Sequence, residues 1–117
     1  MLETPLAKNY MLTSSNEAFE RYGVQHPFGK NYYGLVKYIH TRYDRKTMLE
    51  ALEKVPRKMC EDYYMWGTPD EVISKIEKFA KAGMKHIVFC NMTPSFDLRK
   101  VGSSFDNMKK VVQYFKG

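Results

Sequence analysis

Apolar residues recur at three- and four-residue spacing through much of this chain and become nearly continuous at His86-Ile87-Val88-Phe89-Cys90. The first pattern predicts amphipathic helices. The second predicts a short strand, 86–90, covered on both faces as in a parallel sheet. The clearest helix lies just before that strand. Thr68 stands at its N-cap, Pro69 at its first position and Glu71 three residues after Thr68, which together make a capping box. Val72, Ile73, Ile76, Phe79 and Ala80 form its apolar stripe, and Gly83 suits a left-handed stop. Helix, glycine, strand is half of a β/α repeat, and the chain carries one clear copy.

The remaining pattern is mostly helical. Leu6, Tyr10 and Leu12 mark a loose helix over 5–13. Ser14 and Glu17 read as a second capping box, opening a helix over Glu17–Tyr22 that stops at Gly23. The stretch VQHPFGKNYYG is an aromatic-rich loop. Residues 35–39 fit either a helix, by Leu35, Ile39 and Tyr43, or a strand, by Val36 and Tyr38. Asp44 caps a helix through Lys54, and Pro56 interrupts it because the residue before proline avoids helical geometry. A further helix over Arg57–Trp66 ends at Gly67. After the strand, Met92–Gly102 reads as a loop, and Ser103 or Ser104 caps a last helix striped by Phe105, Met108, Val111, Val112 and Phe115. A lone buried strand leaves unpaired backbone groups, at about 1–3 kcal/mol each. Its partner is therefore either 35–39 or another chain.

Composition narrows the class. The chain has 117 residues, 44% hydrophobic and 15% aromatic, which suits one ordered domain and not a disordered segment. No apolar run approaches a membrane span of about 18 residues. The N-terminus lacks the basic start and apolar centre of a signal peptide, so the expectation is a cytoplasmic protein with no membrane partner. Cys60 and Cys90 are then reduced thiols, and neither has the spacing of a zinc ligand. The net charge of +6 invites an anionic partner. The lysines and arginines are scattered among acids, however, which argues for solvated helix faces and against nucleic-acid binding.

Three landmarks carry a resemblance: Gly67-Thr68-Pro69-Asp70-Glu71-Val72 with Ala82–Val88, the pair Val55-Pro56 upstream, and Gly23-Val24-Gln25-His26-Pro27-Phe28-Gly29. In this order they resemble the C-terminal third of the luciferase-like monooxygenase family, closest to its deazaflavin (coenzyme F-420)-dependent branch of methylenetetrahydromethanopterin reductase-like enzymes. The resemblance implies an α/β fold, the C-terminal portion of a (β/α)8 TIM barrel that is not complete by itself, since such a barrel needs about 250 residues. It implies that 86–90 is the eighth strand, that the helices flanking it are the seventh and eighth, and that 1–66 is a helical and loop insertion region. Residues 1–117 then form one partial barrel domain, with 67–117 as helix, strand, loop and helix. The cofactor implied for the intact family is a deazaflavin or FMN, and none is expected for this chain alone.

Two residues are positional candidates for a cofactor site. His26 lies in the aromatic loop, where it either lines a pocket or forms a turn with its imidazole bonded to backbone. Asn91 follows the strand, at the end where barrel enzymes place their active sites, or else is a turn-forming asparagine. No catalytic residue and no metal site is assigned. His86 reads as structural and Cys90 as a small buried apolar residue. Helical spacing makes Tyr63-Tyr64-Met65-Trp66 a packing element and not a platform for stacking bases. The expected function is that of a C-terminal fragment of a deazaflavin- or flavin-dependent oxidoreductase, transferring hydride in the intact family and not catalytic alone. The alternative is a non-catalytic oligomerising or partner-binding domain, acting as a homo-oligomer or with a chain that supplies barrel strands.

Overall fold

The computed structural model describes all 117 residues. They divide into two compact units, Met1–Tyr64 and Met65–Gly117.

The first unit is built from five helices. Thr4 accepts from the Ala7 N–H and opens α1, Pro5–Met11, with Pro5 where its missing N–H is harmless. Ser15 accepts from the Ala18 N–H and opens α2, Asn16–Glu20. The cap is thus Ser15 and not Ser14. A single turn, α3, covers Gly34–Lys37, so the ambiguous 35–39 stretch is no strand. Asp44 accepts from the Thr47 N–H at 2.7 Å and opens α4, Arg45–Glu53. That bond holds the Asp44 carboxyl below its usual pKa. Pro56 then separates α4 from α5, Arg57–Tyr63, which ends three residues earlier than the apolar spacing predicts.

Helix α1 packs against α4 and α5. The core beneath them contains Met11, Leu12, Phe19, Leu52, Val55 and Met59, with Cys60 fully buried. Burial pushes the Cys60 thiol pKa up. Ser15 and Tyr33 make an isolated antiparallel bridge. Just beyond it Gly34 lies so close to the preceding segment that a Cβ would stand 2.2 Å from the Leu12 carbonyl oxygen. Only glycine permits that approach.

The second unit has three helices: α6, Pro69–Lys81, the single turn α7, Thr93–Phe96, and α8, Val101–Lys116. The capping box of α6 is complete. Thr68 donates its N–H to the Glu71 carboxylate at 2.7 Å, and Glu71 donates its own N–H to the Thr68 hydroxyl at 3.3 Å. The bond from Thr68 keeps Glu71 below its usual pKa. Gly83 adopts φ +103°, the left-handed stop. Helices α6 and α8 pack together, with Ile76 and Val111 as their buried residues. The Tyr114 hydroxyl ties them by donating to Glu77 at 2.6 Å. Phe79 of the expected stripe is exposed.

Four expectations are corrected here. Residues 86–90 do not form a strand, although the chain is mostly helical and no barrel by itself, as expected. A strand exists only through its ladder, and no backbone group between Lys85 and Asn91 is hydrogen-bonded within the protein. Cys90 is correspondingly exposed, not buried. The stretch before the last helix is also not an open loop. It holds α7 and a 3-10 turn, Leu98–Lys100, capped by Asp97, which accepts from the Arg99 N–H. That turn runs directly into α8, so Ser103 and Ser104 fall inside the helix. Their hydroxyls donate back to the Lys100 and Val101 carbonyls and do not cap.

Candidate functional site

His26 is where the sequence's punctuation concentrates, and it is the most enclosed polar side chain of the first unit. Its relative exposure is 1%. Its Nε2 lies 3.1 Å from the Leu12 carbonyl, and its Nδ1 is 3.1 Å from the Phe28 N–H. A carbonyl can only accept and an amide N–H can only donate. The ring is therefore the neutral Nε2–H tautomer, giving to Leu12 and receiving from Phe28. Its own backbone N–H donates to Asn16 Oδ1 at 2.8 Å, and Asn16 Nδ2 donates to Glu20 at 2.7 Å.

Aromatic rings close the shell. Phe19 meets the imidazole edge to face at 4.7 Å between centroids, and Tyr32 lies at 4.5 Å. Phe28 stacks on Tyr43 at 4.3 Å, nearly parallel. The Tyr38 hydroxyl donates to Asn9, and the Tyr32 and Tyr43 hydroxyls meet at 3.4 Å. Burial lowers the His26 pKa, against a smaller opposing effect of the Leu12 carbonyl. Burial also raises the Tyr32 and Tyr38 hydroxyl pKa values. Each shift favours the neutral form of His26, Tyr32 and Tyr38. With both nitrogens engaged, His26 is a structural hub that pins the 23–33 loop to α1 and α2, and it is not exposed to a substrate.

Asn91 is half-buried in the second unit. Its Oδ1 accepts from the Thr93 N–H at 3.2 Å, closing a local turn at the start of α7. Its Nδ2 donates to the Ser104 hydroxyl at 3.0 Å, joining that turn to α8. Both ends of the amide are committed inside the protein. His26 and Asn91 fall in different units. No group of three or more His, Cys, Asp or Glu side chains stands close enough to hold a metal ion. No helix is long and apolar enough to cross a membrane.

Sequence reasoning missed two members of the His26 cluster. Asn16 reads as part of a helix start, yet it is buried and holds the backbone of a loop ten residues away. Phe19 lies within the helix expected over Glu17–Tyr22, and it is fully buried against His26. The signal available for both was their place opposite a loop dense in aromatics.

No protein-family model matches the chain, and no solved structure matches it. Curated relatives do. The phthiodiolone/phenolphthiodiolone dimycocerosates ketoreductase of Mycobacterium tuberculosis is 32% identical over 118 aligned positions, covering 98% of this chain and 30% of the relative. The protein of the same name from Mycobacterium kansasii is 28% identical over 90 positions, covering 77% of this chain and 24% of its own length. That of Mycobacterium sp. strain JLS is 27% identical and again covers 98% and 30%. By sequence, the chain is similar throughout to one stretch of a mycobacterial ketoreductase and spans about 30% of the length of the curated relatives it matches.

Proposed function

We propose that this chain is the C-terminal portion of a deazaflavin- or flavin-dependent oxidoreductase that reduces a ketone, and that it does not catalyse by itself. One observation carries the reading: the similarity to a ketoreductase extends over 98% of the chain at 32% identity. The landmarks Val55-Pro56 and Gly67–Val72 resemble the deazaflavin-dependent branch of the luciferase-like enzymes, where the corresponding region is the end of a TIM barrel. The two positional candidates do not themselves fit a flavin. His26 is sealed by Leu12, Phe28 and aromatic rings, and Asn91 is bonded internally through both ends of its amide. No catalytic step is assigned to them. Their work in this reading is to shape and support a site whose reacting groups lie in the remainder of such a protein.

The test has two arms. The chain alone, titrated with reduced and oxidised deazaflavin or FMN, gives no saturable fluorescence change. The same chain, exchanged for the matching stretch of the M. tuberculosis ketoreductase, supports reduction of that enzyme's ketone. Tight cofactor binding by the chain alone, or a folded but inert chimera, overturns the reading. The second reading, a partner-binding domain, is favoured by the large apolar side chains left exposed in both units, Leu35 and Val36 in the first and Val88 and Phe105 in the second. A chain that is monomeric in sedimentation at every concentration counts against self-association.

A further inference from the structure

Residues 30–46 hold an apolar tip inside a concentration of positive charge. Lys30, Lys37, Arg42, Arg45 and Lys46 stand against one acid, Asp44, so this stretch carries +4 of the chain's net +6. All five cations are exposed. Of them only Lys46 meets an acid, Glu50 at 3.9 Å, while Asp44 is committed to the Thr47 N–H. Among these charges Leu35 is 78% exposed, Val36 75% and Tyr33 55%. The tip is held from inside. Gly34 is pressed against the Leu12 carbonyl, Tyr33 is bridged to Ser15, Tyr38 donates to Asn9, and Tyr43 stacks on Phe28. These anchors turn Tyr38 and Tyr43 inward and leave Leu35 and Val36 standing out from a fixed backbone. An apolar pair presented in this way, rimmed by charge, is the mark of an interaction surface.

We propose that 30–46 is a docking surface for an anionic lipid bilayer, with Leu35 and Val36 entering the headgroup boundary and the five cations lying over the lipid phosphates. The inference rests on the partner-binding reading and gives that partner a chemistry; it is independent of the oxidoreductase reading. Both parts of the surface are then used. Apolar side chains partition into the acyl boundary, and the negative surface potential holds the cations. Such a contact lies on a membrane and requires no spanning helix, which agrees with the lack of one here. Charge chooses this occupant over the others. A second copy of the chain would set +4 against +4 across the apolar contact. Burial under the remainder of a longer polypeptide would strip water from cations that have no acid of their own here. Free phosphate or a nucleic acid satisfies the cations and gives Leu35 and Val36 nothing.

Co-sedimentation of the full chain with vesicles reads the contact. On equal parts phosphatidylcholine and phosphatidylglycerol the bound fraction saturates with lipid, and on phosphatidylcholine alone the affinity is at least about tenfold lower. Salt at about 0.5 M weakens the anionic vesicles' hold by a similar factor. Leu35→Ser/Val36→Ser and Lys37→Glu/Arg42→Glu each weaken binding at least about fivefold with helical circular dichroism unchanged, since all four side chains are exposed. Lys109→Glu/Lys110→Glu, an equal charge change in the second unit, leaves binding within about twofold. Equal binding to the two lipid mixtures overturns the proposal. So does full-strength binding by Leu35→Ser/Val36→Ser, which assigns the cations to a soluble polyanion. Should a variant lose its helical signal, the wild-type comparison of lipid mixtures and salt decides alone. A chimera with the M. tuberculosis ketoreductase that folds and no longer binds vesicles also overturns it, because the remainder then covers the tip. Self-association without vesicle binding keeps the partner-binding reading and removes the bilayer. The absence of both removes both.

Discussion

His26 donates from Nε2 to the carbonyl of Leu12 at 3.1 Å, across fourteen residues of chain. The carbonyl belongs to the C-cap residue of α1, where no helical partner is available to it. The imidazole therefore satisfies a helix end and, through Nδ1, the turn at Phe28. Replacing His26 by Ala removes both bonds and leaves a void against Phe19 and Tyr32. The expected loss is about 3 kcal/mol of the first unit's stability, from an unpaired carbonyl and amide plus the cavity. Urea unfolding followed by tyrosine fluorescence measures it. A loss near zero would show that the ring is not the hub.

The same bonds predict a pH dependence. Burial sets the folded pKa of His26 below its ordinary value of 6.5. Between the two values the unfolded chain binds the proton more readily than the folded one, so stability rises with pH there. The contribution is full above about 6.5, the unfolded value, and is lost as pH falls through the lowered folded value. Protonation also places a second N–H, on Nδ1, against the Phe28 N–H. Unfolding midpoints compared at pH 7.5 and 5.5 should fall at the lower pH in the wild type and hold nearly level in His26→Phe. An equal fall in both assigns the effect elsewhere.

Two glycines should respond to the same substitution with opposite sign. A methyl at Gly34 stands 2.2 Å from the Leu12 carbonyl oxygen, which is backbone and does not yield cheaply. Gly34→Ala is expected to destabilise the first unit by at least about 2 kcal/mol, or to prevent its folding. Gly102 lies in α8 with nothing within 4 Å of its added Cβ. Gly102→Ala should stabilise by about 0.5–1 kcal/mol through helix propensity. Thermal melts of the two variants decide the pair.

The parts of this fold legible in the sequence are those whose partners are local. The cap at Asp44, the break at Pro56 and the reciprocal bonds of Thr68 and Glu71 each close within a few residues, and all are present. Residues 86–90 failed as a strand because a ladder is non-local, and nothing within the chain supplies one. Ser103 and Ser104 lost the last N-terminus because Asp97 starts a 3-10 turn upstream that the helix simply continues. For His26, the pattern correctly offered a backbone-bonded turn as one reading. That Leu12 and Asn16 supply the bonds emerges only from the folded chain.

The capping box offers a cleaner local test. Thr68→Ala removes the hydroxyl that accepts from the Glu71 N–H and leaves the Glu71 side chain in place. The expected cost is about 1 kcal/mol of α6 stability. Glu71 has a lowered pKa, so its contribution is present above the unfolded value and lost as pH falls through the folded one. Helicity of the second unit at pH 7 and pH 3, read by circular dichroism, should therefore differ more in the wild type than in Glu71→Gln. Equal acid losses in the two would remove the carboxylate from the argument.

The two cysteines give a direct reading of which surfaces are closed. Cys60 is fully buried in the first core and its thiol pKa is raised by desolvation, so both access and thiolate fraction are low. Cys90 is exposed, with its Sγ 3.5 Å from the Met92 sulfur. A disulfide-exchange reagent at pH 8 should label one thiol quickly in the native chain and the second only on unfolding. Cys90→Ser should abolish the fast phase and Cys60→Ala should not. Because Cys90 ends the 86–90 run, the fast phase also reports whether that run is covered. It should persist in the isolated chain and slow sharply in the ketoreductase chimera. Rapid labelling of Cys60 in the native chain would mean that the α1, α4 and α5 core opens more readily than its packing indicates.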